Sequence, residues 1–251
     1  MFVDAFRLVQ GLLRSNAIWL LFILGVGAQG VAMRMALHRA RPLEPASADD
    51  CDLVVSQAVS EPAVRIAELP ELLEPVDGVE VPKSPDLLPG AAREYRGGVH
   101  EGVDFRCVRG LPVRAAADAK VLTIEDEPNL PERQRDDLLR VCRVLGETPP
   151  EVLRSLHGRR ITLNLGVHAG HLLTASYSHL ASIRPDLKPG MAVRAGEVIG
   201  MTGASGTSHD YRPDGWGEVH FELRWDGQPL GLALGPSQAG KAYREALGEG
   251  R

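Results

Sequence analysis

The chain of 251 residues has little cysteine, few aromatic residues and no excess of positive charge. Its three cysteines, Cys51, Cys107 and Cys142, are far apart and odd in number, which argues against a disulfide framework or a C-x-x-C metal site and favours buried or free thiols. Aromatic residues make up 5%, although 44% hydrophobic residues suffice for a packed core. The formal net charge of -5 argues against a nucleic-acid partner, because binding to phosphate backbones needs a concentrated basic surface.

The first 41 residues contain an apolar segment with the features of an export signal. Twelve residues without a polar side chain occupy 17–28, and the apolar character extends towards Leu37. This core is short for a span of about 20 residues. The segment therefore fits either a signal peptide, with Val26-Gly27-Ala28 as a cleavage site, or a signal-anchor helix over 17–37. More arginines follow the segment than precede it, so the positive-inside bias does not favour an outward position for the C-terminal part. The expectation of export therefore depends on the function inferred below.

Residues 42–89 have the composition of a linker. They hold eight of the 18 prolines and eleven acidic residues against two basic ones. A Pro-rich stretch of like charge is expected to be extended and only partly ordered, a spacer between a membrane and a domain. Short apolar runs such as 52–55 could still add a strand to that domain.

Residues 90–235 are predicted to form a mainly β domain, because short runs of strand periodicity alternate with glycine and proline. Residues 131–157 have helical spacing instead, with Thr148 predicted as the N-cap of a second helix. We therefore expect a helical hairpin inserted at about 126–158, as a lid or a wall, and a tail over 236–251 that could be helical. The predicted strands are Lys120–Ile124, Arg160–Leu165, Leu172–Tyr177, Ala192–Val193, Glu197–Met201 and Val219–Trp225.

Histidines and carboxylates recur with strand spacing at three places. His100 and Asp104 lie on one face of an extended segment, an arrangement that could supply two metal ligands. The same parity places Glu218 and His220 together on one face of a later strand. A third segment is predicted to place Tyr177 and His179 on a shared face. Each pattern alone is weak, because a lone strand histidine is more often a hydrogen-bonded structural residue.

Taken together in chain order, these segments and the turns between them form a specific string of motifs. The motifs are His100-x-x-x-Asp104, Gly110-Leu111-Pro112-Val113, Tyr177-Ser178-His179-Leu180, Lys188-Pro189-Gly190, Gly196-x-Val198-Ile199-Gly200, Gly203-x-Ser205-Gly206 and His220-Phe221-Glu222. Over most of residues 97–230 the string resembles the LytM/lysostaphin-type zinc metalloendopeptidases, which are peptidoglycan endopeptidases. The apolar N-terminal segment and the inserted helices are similar to a membrane-anchored branch of that family.

The resemblance implies a compact antiparallel β-sheet domain with an open groove that holds one zinc ion. By position, His100, Asp104 and His220 match the family's three metal ligands, and His179 matches a catalytic histidine that stabilises the oxyanion or orients the water. The implied substrate is the peptide of bacterial peptidoglycan. We therefore expect the domain to lie outside the cytoplasm in the bacterial cell envelope, held to the membrane by its N-terminal segment, with envelope proteins as possible partners.

One position departs from the family pattern. The family has a second catalytic histidine two residues before the last ligand, where this chain has Glu218. In one hypothesis Glu218 is the general base, a role that glutamate has in other zinc peptidases. In the other, the domain binds zinc without hydrolysing peptides and acts as a cell-wall-binding or hydrolase-regulating module.

The remaining histidines and two loop aromatics receive weaker predictions. His209 could replace the missing histidine but is expected to be an exposed loop residue. The same ordinary surface role is expected for His157, His168 and His171. Trp216 and Tyr211 are expected either to line the groove or to pack on the edge of the domain.

Overall fold

The strands form antiparallel sheets in the computed structural model, which describes residues 69–126, 129–212 and 214–248. The mainly β, antiparallel prediction is confirmed. The strands are β1 (Ala92–Arg93), β2 (Gly98–Val99), β3 (Val103–Val108), β4 (Pro112–Arg114), β5 (Ala119–Glu125), β6 (Arg160–His168), β7 (His171–Ser178), β8 (Ser182–Ile183), β9 (Ala192–Val193), β10 (Val198–Met201), β11 (Trp216–Trp225) and β12 (Gln228–Pro229). The α-helices are α1 (Glu132–Leu145), α2 (Pro150–His157) and α3 (Pro236–Ala246).

The largest sheet has seven strands in the order β12-β11-β7-β6-β5-β9, with β3 paired to β11 on the same edge as β12, opposite β7. A second sheet has the order β4-β10-β8, and β1 pairs with β2. Each predicted strand is present to within a few residues. β1, β2, β4, β8 and β12 were not predicted, because strands of two or three residues rarely show a period.

Alternation along β3 and β11 separates a core face from an open face. Val103, Phe105, Val219 and Phe221 are fully buried at 0% exposure, as the strand parity predicts.

Cys107 and Cys142 are free thiols, in agreement with the sequence analysis. Residue 51 lies outside the described residues.

The domain begins before Gly90, so the linker predicted over 42–89 is too long. Leu72, Val76, Val81 and Leu88 are at most 2% exposed and belong to the same core as the main sheet. The backbone also bonds to the domain, since the Leu73 N–H donates to Ala116 O at 2.8 Å. A high content of proline and acid does not prevent burial when apolar residues recur at suitable places. The helix at the other end, α3, also packs into the domain through buried residues such as Ala239 and Tyr243.

The inserted hairpin consists of α1 and α2, joined at Gly146, which ends α1 in a left-handed conformation with φ +74. Proline stands in the first turn of α2, as predicted, but Thr148 does not cap that helix. Its hydroxyl instead accepts from Arg96 Nη1 at 3.2 Å and donates to Arg96 O at 2.5 Å. Thr148 therefore ties the hairpin to the turn that precedes β2.

No helix in the described part of the chain has both the length and the apolar character needed to cross a membrane. The segment 17–37, for which a signal or anchor is predicted, lies outside the described residues.

Candidate metal centre

The pairing of β3 with β11 places two predicted ligands side by side. Asp104 lies directly opposite His220 in this antiparallel register, and Arg106 lies opposite Glu218. Residues directly opposite each other in a sheet project from the same face. The face opposite the core therefore carries Asp104, His220, Arg106 and Glu218.

His100 reaches the same place from the segment between β2 and β3. This path requires a glycine at position 102, because a Cβ there would lie 2.5 Å from Phe221 O and 3.0 Å from His220 Cε1. The absent side chain lets the His100 segment pass close against β11.

Three ligand atoms converge at the meeting point. His100 Nε2 lies 2.9 Å from Asp104 Oδ1 and 3.0 Å from His220 Nδ1, and His220 Nδ1 lies 2.8 Å from Asp104 Oδ1. All three residues are buried. Ligands at about 2.0 Å around a tetrahedral zinc ion are about 3.3 Å apart, so a small outward movement would admit one.

The outer atoms of these residues are held in place by further hydrogen bonds. His100 Nδ1 donates to Leu88 O at 3.1 Å, and His220 Nε2 donates to Glu222 Oε1 at 3.0 Å. Arg93 Nη2 binds the other oxygen of Asp104 at 3.2 Å. Carbonyl and carboxylate acceptors of this kind fix the orientation and tautomer of metal-binding histidines. Glu222 and the Leu88 carbonyl were missed by the sequence analysis, although Glu222 has the strand parity of His220.

This arrangement fits a cation. With Nδ1 of His100 and Nε2 of His220 donating outward, two nitrogen lone pairs and a carboxylate oxygen face one another within about 3 Å. Such an arrangement is repulsive unless positive charge lies among them. The pKa of His220 also indicates that this site favours positive charge. Burial opposes protonation of the ring, but hydrogen bonds with Asp104 and Glu222 raise its pKa to about 9. Two imidazoles and a carboxylate are a ligand set that suits zinc.

His179 lies at the end of β7, where the chain leaves the sheet with φ +64 at this residue. This left-handed backbone ends the strand alternation, so the prediction that Tyr177 and His179 share a face is wrong. Tyr177 is fully buried in the core, whereas His179 lines the groove. A non-glycine residue in this conformation is strained, and such residues cluster at functional sites.

Hydrogen bonding fixes the tautomer of His179. Its Nδ1 donates to Ser205 O at 2.9 Å, and its Nε2 lies 3.8 Å from Glu218 Oε1. Burial, with the nearby His220, lowers the pKa of His179 to about 4, so the ring is neutral at pH 7 and Nε2 carries a lone pair. Burial and the Asp104 carboxylate raise the pKa of Glu218 to about 8.

His157 is part of this site, and the ordinary surface role predicted for it is wrong. The residue ends α2 and is 6% exposed, with its ring stacked on His220 at 5.1 Å between centroids. Arg160 Nη1 donates to His157 Nδ1 at 3.2 Å, which leaves Nε2–H directed at Glu222 Oε1 at 3.5 Å. The inserted hairpin therefore supports the Glu222 carboxylate that orients His220. No local sequence signal pointed to this role.

The other weakly predicted residues divide between the groove and the rest of the surface. Trp216 lines the groove, and half-buried His209 stacks on it at 3.9 Å. Tyr211 instead donates to Leu130 O at 2.6 Å. His168 and His171 lie at the β6–β7 turn, at the opposite end of β7 from His179. The groove encloses about 500 Å³.

Comparisons with known proteins add likenesses to solved peptidase structures. No protein-family model and no curated protein matches the chain. The matched structures include a zinc-containing peptidase from Vibrio cholerae (20% identity, 64% of this chain, 35% of that chain, TM-score 0.35). They also include the catalytic domain of a mutant of the prophage-encoded M23 protein EnpA from Enterococcus faecalis (22%, 65%, 94%, 0.39). A third is the catalytic domain of the antimicrobial peptidase lysostaphin from Staphylococcus simulans (21%, 61%, 88%, 0.39).

Two of these three structures are of peptidases, and the third is of an M23 protein. The chain spans about a third of the Vibrio cholerae structure, as its 35% coverage shows. With TM-scores of 0.35 to 0.39, the likenesses carry no argument about activity. The functional argument therefore depends on the residues of the groove.

Proposed function

We propose that this protein is a zinc-dependent peptidoglycan endopeptidase. The observation that carries the proposal is the convergence of His100 Nε2, Asp104 Oδ1 and His220 Nδ1 within 3.0 Å at the floor of an open groove. Three protein ligands beside an open position are typical of a catalytic rather than a structural zinc site. The cell-wall substrate is inferred from the resemblance of the sequence motifs to the LytM/lysostaphin-type family.

In this proposal His100, Asp104 and His220 would hold a zinc ion, which would supply Lewis acidity for the peptide carbonyl and for the attacking water. The residues of the chain position the water and move its proton. His179 Nε2 is a hydrogen-bond acceptor and orients the attacking water. Because an acceptor cannot donate a hydrogen bond to an oxyanion, the water-orienting role is favoured over oxyanion stabilisation. Glu218 Oε1, 3.8 Å from that nitrogen, accepts the proton and returns it to the leaving amine.

One observation favours the second candidate, a zinc-binding module without hydrolytic activity. A carboxyl group with its pKa raised to about 8 is largely protonated at pH 7, and a protonated carboxyl cannot act as a base. A cation beside Asp104 would oppose that shift, because a nearby positive charge favours the ionised carboxylate. The two candidates therefore differ in measurable activity.

Digestion of purified cell wall by the full chain, solubilised in detergent, tests the proposal. Mass spectrometry is expected to show new amino termini that disappear with a chelator and return with zinc. The His100→Ala and His220→Ala variants should contain far less than one zinc per chain and release no termini. Wall binding without new termini would favour the non-hydrolytic module, and full zinc content in both variants would contradict the ligand assignment.

We further propose that the C-terminal domain lies outside the cytoplasm in the bacterial envelope, exported by the apolar segment over 17–37. A reporter that is active only outside the cytoplasm, fused after Arg251, should be active. Activity of a cytoplasm-only reporter at the same position would contradict export and favour the orientation that the arginine distribution indicates.

A further inference from the structure

The open face of the β3–β11 pair continues past the candidate metal centre as the floor of the groove. Asp104 and His220 form one cross-strand pair, Arg106 and Glu218 the next, and Val108 and Trp216 the one after. Successive pairs on one face are about 7 Å apart along the strands. A substrate bound at the metal centre and extended along this floor therefore passes over Arg106.

Arg106 is exposed, and its guanidinium lies over the Trp216 ring, 5.8 Å from the centroid. Among the residues that the structure describes, no carboxylate forms an ion pair with it and no acceptor takes its N–H groups. Trp216 is held firmly, because Arg109 Nε donates to Trp216 O at 2.7 Å and the indole stacks on His209. The Arg106 N–H groups are therefore supported by a fixed aromatic surface and remain available to a ligand.

The other arginines that line the groove are already engaged. Arg93 binds Asp104 Oδ2 at 3.2 Å and Asp86 O at 2.7 Å. Arg96 is buried and donates to Val99 O at 2.6 Å, and Arg135 donates to Gly206 O at 3.1 Å. They add positive charge to the groove, but their donors are used within the protein.

We propose that Arg106, backed by Trp216, forms a subsite for a carboxylate of the substrate, so that the preferred substrate is an acidic peptide with its carboxylate about two residues from the bond that is cut. Planar guanidinium donors match the two oxygens of a carboxylate. The inference rests on the proposed peptidase function, because it takes the metal centre as the point where the peptide is cut. The carboxylate could be a terminal α-carboxylate or an acidic side chain.

Binding of short peptides tests the subsite without requiring cleavage. Calorimetry with the zinc-loaded full chain carrying Glu218→Gln would compare acetyl-Ala-Ala-Ala with a free carboxylate against its carboxamide. A second pair, acetyl-Ala-Asp-Ala-amide and acetyl-Ala-Asn-Ala-amide, distinguishes the side-chain source. In at least one pair, the acidic peptide should bind about 10- to 100-fold more tightly, the range expected for a charge-assisted hydrogen bond.

Variants of Arg106 test whether this side chain, and not the metal centre, takes the carboxylate. Arg106→Ala should remove most of the preference for the acidic peptide, and Arg106→Lys should keep part of it, whereas Arg194→Ala, which removes an exposed charge outside the groove, should not change it. A preference that persists in Arg106→Ala would assign the carboxylate to the metal centre and overturn the subsite. Equal binding of acid and amide in both pairs, or no binding of any peptide, would also overturn it.

Turnover separates the subsite from a role of Arg106 in supporting Glu218, its cross-strand neighbour. The subsite predicts that Arg106→Ala raises KM for an acidic cell-wall peptide and leaves kcat nearly unchanged. An equal fall in kcat for acidic and amidated peptides would overturn the subsite. Absence of cleavage by the wild type in the cell-wall assay would refute the peptidase, while the binding preference still reports on the subsite.

Discussion

Glu218 lies two residues before His220 on the groove face of β11, and its carboxylate faces Nε2 of His179. Glu218→Gln keeps the size of the side chain and removes its basic oxygen. We expect zinc to stay bound while the rate of peptide cleavage falls by about 100-fold or more, because general-base catalysis contributes on that order. Metal analysis and the release of amino termini measure the two effects separately.

A second substitution at this position serves as the matched comparison. Glu218→His restores the pattern of the resembled family and should keep or raise the cleavage rate. Full hydrolysis by Glu218→Gln would contradict the base role and transfer it to His179, whose Nε2 lone pair faces the same point.

His157 supports the metal centre indirectly, through Glu222. Its replacement by phenylalanine keeps a flat ring against His220 but removes the N–H that faces Glu222 Oε1. We expect zinc affinity to fall by about 10- to 100-fold, the usual cost of losing an outer partner of a metal ligand. Competition with a chromogenic chelator measures the dissociation constant.

Two further variants control this prediction. His157→Gln retains an N–H donor and should recover part of the affinity. His171→Ala removes a histidine at the far end of β7 and should leave the affinity unchanged. Wild-type zinc affinity in His157→Phe would show that the hairpin only covers the site.

At the scale of elements, the inserted hairpin is held by a close approach between its end and the loop after β10. Gly158 has φ +60, and a Cβ there would lie 2.4 Å from Ser205 C and O. The approach is equally close on the other side of the junction, since a Cβ at Gly206 would lie 2.4 Å from Leu156 O. The contact fixes His157 beside Glu222 and Ser205 O beside His179, so one junction positions two groups of the site.

We expect Gly158→Ala to lower the free energy of unfolding by about 1–3 kcal/mol and to weaken zinc binding, because strain and a backbone collision add together. Thermal unfolding with and without zinc measures both. Gly146→Ala is the control, since that position also has positive φ but no atom within 4 Å of its Cβ position. A smaller loss in Gly158→Ala than in Gly146→Ala would contradict the role of the close approach.

At the scale of the whole molecule, residues 69–89 complete the core rather than precede it. Leu72, Val76, Val81 and Leu88 are buried in the core, and burial of each contributes about 1.5–3 kcal/mol. Their sum is comparable with the stability of about 5–15 kcal/mol of an ordinary domain. Leu88 also supplies the carbonyl that orients His100.

A truncation pair tests this conclusion. A chain of residues 55–251, which form one compact unit, should unfold cooperatively and bind zinc, whereas 90–251 should show no cooperative transition. Circular dichroism on heating and metal analysis are the measurements. Equal melting temperatures for the two fragments would mean that 69–89 adds nothing to stability.

The sequence by itself determined the strand parity that places Asp104 and His220 on one face, because the two-residue period of a strand is local. It also predicted the mainly β class and the helical hairpin for the same reason. Tertiary structure alone decided that His157 reaches Glu222, that His179 turns away from the face of Tyr177, and that residues 69–89 belong to the core. Those outcomes depend on backbone approaches between distant segments, at Gly158 and Ser205 and at Gly102 and Phe221, and on a few buried side chains within an acidic, Pro-rich stretch. Composition averages over such a stretch, whereas burial is decided by where each apolar residue meets the rest of the chain.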